Sequence, residues 1–390
     1  LRLLRDILQA DVVPLDLHPV VQPFQRKIGL TDLPHGRLHR PPQRPQFRGQ
    51  QIRLLGTHPL GGAPVQPQQK GRQPGFCHQL LQDLPHRGLG IQYRRFPADD
   101  LDLHIPGHEF YGEVVDIKGE VPGIAIGDDV CAEQVVPCGH CHFCRTGKYW
   151  MCQRSAVFGF KKYANGGFAE YVKLPKTSLK HVLPKSFTKE QSVLVEPIAC
   201  GMHALEQANI RHDDVVVIAG LGAIGTSMCN IANLKMPKLV IGLEVREERA
   251  RRAREYGADI VLNPVECNVV EEIMKLTGGL GCDVYVEASG SPKSAAQGLN
   301  CLRNHGRYVQ MGVLSDLVTA DWNTIGDGKE LTIIGSHLSA KVYPAVIRGI
   351  EKGLIKTDGL ISHCFKLQDW AKAYETAEKD PAAVKIMLEP

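Results

Sequence analysis

Over its first hundred residues the 390-residue chain contains no glutamate, and its only lysines there are Lys27 and Lys70. That stretch holds about half of the 25 prolines and is dense in Gln, Arg, His and Leu, as in RPPQRPQFRGQQ and PVQPQQKGRQPG. Neither a helical nor a strand period persists through it. Two readings of residues 1–100 compete. One is a disordered basic extension with too little packable surface to offset chain entropy. The other is translation in a foreign frame or from the opposite strand, joined to a genuine coding region. Ordinary disordered tails use Glu, Lys and Ser freely, which favours the second reading, and no function is assigned from this segment alone. The chain also begins without Met, as a fragment or a misread start would.

Other absences narrow the class. No run approaches eighteen consecutive apolar residues, which argues against a membrane span. Asp6 and Asp11 break the apolar pattern that a secretory leader would need. The net charge is only +4, with an excess of about +7 in the first hundred residues, so the remainder is slightly acidic. Such a balance does not imply a nucleic-acid partner, and the cysteines lack the second Cys/His pair of a finger. No internal repeat is evident. Hydrophobic residues at 43% and charged residues at 23% suit a soluble protein, and the length suits two domains. Of twelve cysteines, four fall within the fifteen residues Cys138–Cys152. That crowding points to a metal rather than a disulfide framework, and to a reducing, cytoplasmic setting.

From Ile105 the texture changes. GEVVDI, GDDVCAEQVV and GGFAEYVKL read as short strands between glycine turns, the pattern of a compact β-rich unit. After about Gly201 the pattern becomes strand, glycine turn, helix. VVVIAG leads into a helix from about Ile224 to Leu234, followed by LVIGLEV, the helix REERARRAREYG, and the strands DVYVEASG and RYVQMG. Unbroken apolar strands between helices predict an α/β fold with a parallel sheet covered on both faces.

VVVIAGLGAIG places Gly220, Gly222 and Gly225 in G-x-G-x-x-G spacing, with Ala223 and Ile224 opening the helix. At the end of a strand this is the dinucleotide-binding arrangement: Gly220 for the turn, Gly222 for approach of a pyrophosphate, Gly225 for close helix–strand packing. Glu244 ends the next strand, where a carboxylate accepts ribose hydroxyls and repels a 2′-phosphate, favouring NAD over NADP. Arg246 and Arg249 are guanidinium groups that could bind such a phosphate instead. Cys138, Cys141, Cys144 and Cys152, spaced C-x2-C-x2-C-x7-C, can close a tetrahedral shell around zinc. An iron–sulfur cluster also takes four thiolates, but the x7 gap departs from common cluster runs. His140 and His142 read as flanking surface residues. PGHEF adds His108 and Glu109, and VEPIACGMHAL adds Glu196.

In this order, and together with GGFAEYV and KELTIIGSH, these motifs resemble the zinc-dependent medium-chain alcohol/polyol dehydrogenases over about residues 105–390. FCRTGKYWMCQ and ADWNTIGDGKELTIIGSHL are most similar to the polyol members, the erythritol/threitol and sorbitol (L-iditol) dehydrogenases. The resemblance implies a β-rich GroES-like catalytic domain beside a Rossmann doubly wound parallel sheet. It divides the chain into an atypical segment 1–100, a catalytic domain 101–200 with a structural zinc lobe, an NAD-binding domain 201–337, and a return to the catalytic domain over 338–390. It implies two zinc ions and NAD, a polyol or secondary alcohol as substrate, and a homodimer or homotetramer.

Carried over, His108 is a zinc ligand, Glu109 its partner or alternate ligand, and Glu196 a direct or water-bridged ligand. Val313 would lie near the nicotinamide, and Arg249 joins Glu244 at the cofactor. The sequence departs from the family at the first ligand, since it contains no G-x-C-x-[ST]-D segment. The upstream cysteine is Cys77, in GFCHQ, and the position of the proton-relay hydroxyl is Gln79, which cannot pass a proton that way. Two alternatives therefore stay open: a remnant that binds NAD and structural zinc only, and a zinc-free quinone or enone reductase relative.

Overall fold

The computed structural model describes residues 105–160 and 164–390; the readings of residues 1–100, Cys77 and Gln79 among them, lie outside the described residues. Strands β1 (Tyr111–Glu113), β2 (Asp129–Ala132) and β5 (Lys180–Val182) form an antiparallel sheet in the order β1-β2-β5. β3 (Val135–Val136) and β4 (Ala156–Val157) pair beside it, with the short helix α1 (His142–Arg145) between them in the chain.

GGFAEYVKL, read as a strand, forms no ladder. The N–H groups of Gly166, Gly167 and Phe168 instead donate to the carbonyls of Ile105, Gly107 and Pro106, at 2.8–3.0 Å. The contact is so close that a Cβ on Gly166 would stand 2.0 Å from the Gly107 oxygen. Gly166 is there for backbone-to-backbone approach, Gly167 makes room for the Phe110 side chain, and their hydrogen bonds fix the segment that carries His108.

Helix α2 (Lys189–Ala208) begins with a capping box. Gln191 N donates to Thr188 Oγ1, and Thr188 N donates to Gln191 Oε1. It ends at Asn209, whose φ of 48° gives the left-handed turn that closes a helix. The helix runs through Gly201 without a break, so the change of texture read there falls inside it. Leu194, Ile198 and Leu205 on this helix share one buried cluster with Val216, Met228 and Tyr343. Each such side chain contributes roughly 1.5–3 kcal/mol by leaving water.

The remaining strands are β6 (Val215–Ala219), β7 (Leu239–Leu243), β8 (Ile260–Leu262), β9 (Cys282–Glu287), β10 (Leu302–Gln310) and β11 (Thr332–Gly335). They pair in parallel in the order β11-β10-β9-β6-β7-β8. Helices α3 (Ala223–Asn233), α4 (Glu247–Glu255), α5 (Val269–Leu276) and α6 (Pro292–Cys301) connect them. All five residues of β6 are buried, which explains why VVVIA is apolar without alternation. The strand order reverses between β6 and β9, and the crevice at their carboxyl ends is where doubly wound sheets bind ligands. Beyond β11 the chain forms α7 (Tyr343–Glu351), β12 (Ile361–Lys366), α8 (Trp370–Lys379) and β13 (Lys385–Glu389), with β12 and β13 parallel.

A buried ion pair ties the sheet to the end of α2. Arg307 Nη2 donates to Asp214 Oδ2 at 2.6 Å, while Nη1 donates to the Asn209 carbonyl. Arg307→Leu would leave Asp214 with the Arg211 N–H as its remaining partner. We expect it to lower unfolding free energy by about 3–5 kcal/mol. Urea denaturation of the variant checks this, and a change below 1 kcal/mol would contradict it.

Candidate active site

The four lobe cysteines converge. Cys138 follows β3, Cys141 and Cys144 lie at the start of and within α1, and Cys152 follows a 3-10 turn at Tyr149–Met151. Their sulfurs approach at 3.5 Å (Cys141–Cys144), 3.7 Å (Cys141–Cys152) and 4.0 Å (Cys138–Cys144). A zinc–sulfur bond of 2.3 Å gives a tetrahedral edge of about 3.8 Å, close to these three separations, and all four sulfurs lie within 4.8 Å of one another. Backbone N–H groups facing the sulfurs favour thiolate at two of them: that of Cys144 draws the Cys141 thiol down to about 6, and that of His140 lowers Cys138, whereas burial and then the neighbouring Cys141 push Cys144 up to about 12. His140 and His142 are exposed and outside the cluster.

The lobe is docked through aromatic side chains. Tyr149 donates its hydroxyl proton to Glu133 Oε1 (2.9 Å) and accepts from Lys341 N (2.9 Å). Trp150 packs edge-on against His203, and Lys341 Nζ sits 5.9 Å from the Trp150 ring centre. Lobe and C-terminal return thus hold one another.

A second cluster joins residues far apart in the chain. Ligand atoms of His108, Glu109 and Glu196 all lie within 4.8 Å of one another. The glycine contacts described above hold His108, whose ring tilts against Phe160 at 5.2 Å. Burial, then the charge of Lys385, pulls its imidazole down to about 4, leaving it neutral and available as a ligand at neutral pH. Burial pushes the Glu196 carboxyl up to about 7, offset in part by a hydrogen bond from Cys200. Neutral imidazole and buried carboxylates suit zinc at the electronic level as well as in spacing.

Lys385, which no sequence motif marked, forms a close ion pair with Glu109 Oε2. Burial lowers its ammonium to about 8. Its one sequence signal is a cation at the head of the apolar run IML. One open cleft is lined by His108, Glu109, Arg246, Arg249 and Lys385.

At the glycine loop, a Cβ on Gly225 would stand 1.9 Å from the Gly220 oxygen, and Gly220 has φ +92°. A Cβ on Gly222 would meet nothing within 4 Å, so within the chain the position is open. The N-terminus of α3, where Ala223 and Ile224 lie, has no side-chain cap. Free N–H groups at an open glycine suit a pyrophosphate.

Glu244 is buried, with Oε2 accepting from Leu221 N and Oε1 from Val245 N and Arg246 N, at 2.9–3.0 Å. It is a positioned carboxylate rather than a solvated strand end. Arg249 donates to the Ala383 carbonyl through Nε and Nη2, and Arg246 Nη1 is buried without a partner. Val313 is half-exposed just beyond β10, facing Gly290.

Sequence reasoning also missed Glu287. Fully buried at the end of β9, it accepts from Ser289 N, Gly290 N and Gln310 Nε2 at 2.9–3.2 Å and ties together the loops at the strand-order reversal. A charge ending the apolar run DVYVE was the available signal.

A doubly wound parallel sheet with a glycine loop, a four-thiolate lobe and a His/Glu cluster define a nicotinamide- and zinc-dependent dehydrogenase. The family signature "Zinc-binding dehydrogenase" matches residues 220–352, and "Alcohol dehydrogenase GroES-like domain" matches residues 75–186, a stretch that includes Cys77. The chain is 40% identical over 297 residues to an erythritol/L-threitol dehydrogenase of Mycolicibacterium smegmatis, covering 75% of this chain and 82% of that one. It is 33% identical over 340 residues to a sorbitol dehydrogenase of Halalkalibacterium halodurans, covering 82% and 97%. A Sinorhizobium meliloti structure described as a zinc-binding dehydrogenase bound to NADP superposes with a TM-score of 0.70 and 28% identity, covering 77% of this chain and 87% of that one. The chain belongs to the zinc-dependent medium-chain alcohol/polyol dehydrogenases. No helix among the described residues is long and apolar enough to cross a membrane.

Two outcomes are expected. Cys144→Ser should reduce bound zinc by one equivalent per chain and lower the melting temperature, as metal analysis and calorimetry would show. If Glu196 is a zinc ligand, zinc binding at the His108, Glu109 and Glu196 cluster should weaken as pH falls from 8 to 6, approaching about tenfold per unit below the Glu196 value, because a proton then competes for the carboxylate. Competition with a chelator at each pH checks this, and a flat affinity over that range contradicts it.

Proposed function

We propose that the protein oxidises a polyol or other secondary alcohol, of the erythritol, threitol or sorbitol kind, to the ketose or ketone, with NAD as hydride acceptor. The observation that carries this reading is the meeting of His108, Glu109 and Glu196 within 4.8 Å. Likeness to relatives named for erythritol/L-threitol and sorbitol supports the substrate class. His108, Glu196 and Cys77 are assigned as holders of the catalytic zinc, with Glu109 as alternate ligand. Cys138, Cys141, Cys144 and Cys152 are assigned to the structural zinc. When bound, the catalytic metal supplies the Lewis acidity that eases loss of a hydroxyl proton, and the nicotinamide accepts hydride.

The chain's own groups account for binding and orientation. Lys385 holds Glu109 as a paired carboxylate, and neutral His108 contributes a lone pair rather than a competing charge. The loop Gly220, Gly222, Ala223, Ile224 and Gly225 takes the pyrophosphate, and Val313 flanks the nicotinamide. Glu244, already fixed by three backbone donors, presents its remaining acceptor capacity to ribose hydroxyls. Arg249 is engaged with Ala383 and so is not placed as a free phosphate ligand, which supports NAD over NADP. Residues 101–200 and 338–390 form the catalytic part and 201–337 the cofactor part, working in the cytoplasm as a dimer or tetramer.

A second reading, a remnant that binds NAD and the structural zinc alone, is favoured by one observation: Gln79 stands where the family carries its relay hydroxyl. Metal analysis separates the two, since the enzyme needs two zincs per chain and the remnant one. Zinc-loaded protein should form NADH, followed by absorbance, with erythritol, threitol or sorbitol. No turnover with any vicinal diol or secondary alcohol would refute the enzymatic reading. Glu244→Gln should cut the preference for NAD over NADP by about tenfold, because the variant no longer repels the 2′-phosphate. An unchanged ratio of kcat/KM values would remove Glu244 from cofactor choice.

A further inference from the structure

Behind Glu196 lies a run of buried polar side chains that neither the zinc lobe nor the cofactor loop uses. Ser339 Oγ donates to Gln134 Oε1 (2.9 Å), Gln134 Nε2 donates to Cys200 Sγ (3.3 Å), and Cys200 Sγ donates to Glu196 Oε1 (3.4 Å). Every donor points the same way, toward the carboxylate. Ser339 and Gln134 are each 1% exposed, and Glu196 is 5%. The chain spans 205 residues of sequence between Gln134 and Ser339. Gln134 lies between β2 and β3, and Cys200 is one turn beyond Glu196 on the same face of α2.

Cys200 is not itself placed as a ligand, because the group of mutually close ligand atoms comprises His108, Glu109 and Glu196 without it. Its sulfur is instead held between the Gln134 amide, from which it accepts, and the Glu196 carboxylate, to which it donates. The segment that delivers Ser339 is strained: Leu338, Ala340 and Lys341 have φ of 57°, 22° and 62°. Residues held in that region cost free energy and persist where the surroundings over-determine them. Here two hydrogen bonds do so, the buried one from Ser339 to Gln134 and an exposed one from Lys341 N to Tyr149 Oη.

We propose that Ser339, Gln134 and Cys200 are positioning residues that fix the Glu196 carboxylate for its metal, holding Oε1 with a thiol donor so that the carboxylate keeps one orientation toward the cluster with His108 and Glu109. This rests on the reading of Glu196 as a zinc ligand given above. Outer partners of this kind hold a ligand's orientation, and their loss typically weakens metal binding by 10–100-fold. Through Ser339 the arrangement also makes the metal site depend on the segment that follows β11 of the cofactor sheet.

The test uses the full chain loaded with zinc, with the affinity of each zinc measured by competition against a chromophoric chelator. The melting temperature and the visible spectrum of the cobalt-substituted protein are read alongside. Cys200→Ala and Gln134→Leu should each weaken one zinc by roughly 10–100-fold while the lobe zinc stays within about twofold. Cys200→Ser, which restores a donor, should recover affinity to within about threefold of the parent, and Ser339→Ala, the mildest change, should weaken the same zinc by about threefold. The cobalt spectrum of the affected site should shift in Cys200→Ala and return toward the parent in Cys200→Ser. Unchanged zinc affinities in Cys200→Ala and Ser339→Ala, or equal weakening of both zincs, would overturn the proposal. A parent chain that binds one zinc overturns this proposal and the enzymatic reading together, whereas two zincs with indifferent variants overturn this proposal alone.

Discussion

Glu196 carries a carboxylate into the middle of a helix whose neighbours are apolar, and the cost of that burial shapes much of what surrounds it. An isolated charge there would be strongly disfavoured and would take up a proton instead. The upward shift of its carboxyl to about 7 shows how close the group stands to that outcome. The hydrogen bond from the Cys200 thiol offsets part of that cost, and beside it stand a neutral imidazole and a second carboxylate already paired with Lys385. The capping box at Thr188 and the left-handed stop at Asn209 set the ends of the helix that bears it. The same helix supplies core to the cofactor sheet through Leu194, Ile198 and Leu205, so ligand and sheet cannot move independently.

The other approach to the cluster is made by backbone. Gly166 comes close enough to Pro106 and Gly107 that a side chain there would collide, as one on Gly167 would with Phe110, and three hydrogen bonds then hold the loop before His108. On the far side, Tyr149 and Trp150 bring the thiolate lobe against Lys341, two residues from Ser339. The lobe is thereby packed against the segment that carries Ser339.

The legible part of the molecule was the part whose chemistry is local. The glycine loop, the strands flanking it and helix α3 stand within a residue of where their pattern placed them, because each is specified by neighbours a few positions away. The four cysteines were readable for the same reason. GGFAEYVKL misled because alternation and glycine turns signal a strand, while the actual use of its N–H groups depends on a loop sixty residues earlier. Lys385, Glu287, Gln134, Cys200 and Ser339 carried no motif. Each is an ordinary residue type whose role comes from a partner elsewhere in the chain.

Sequence alone therefore determined the α/β class, the dinucleotide loop, the thiolate lobe and the family, since spacing along one segment dictates geometry when the ligands or turns lie within a few residues. Tertiary structure decided the rest. It showed that Glu244 is held by backbone donors, that Arg249 is engaged with Ala383, and that His108, Glu109 and Glu196 meet. It alone revealed the donors lined up behind Glu196. The physical reason is separation: residues far apart in the chain have no pattern in common until folding brings them together, and burial then changes what each of them is as an acid or base.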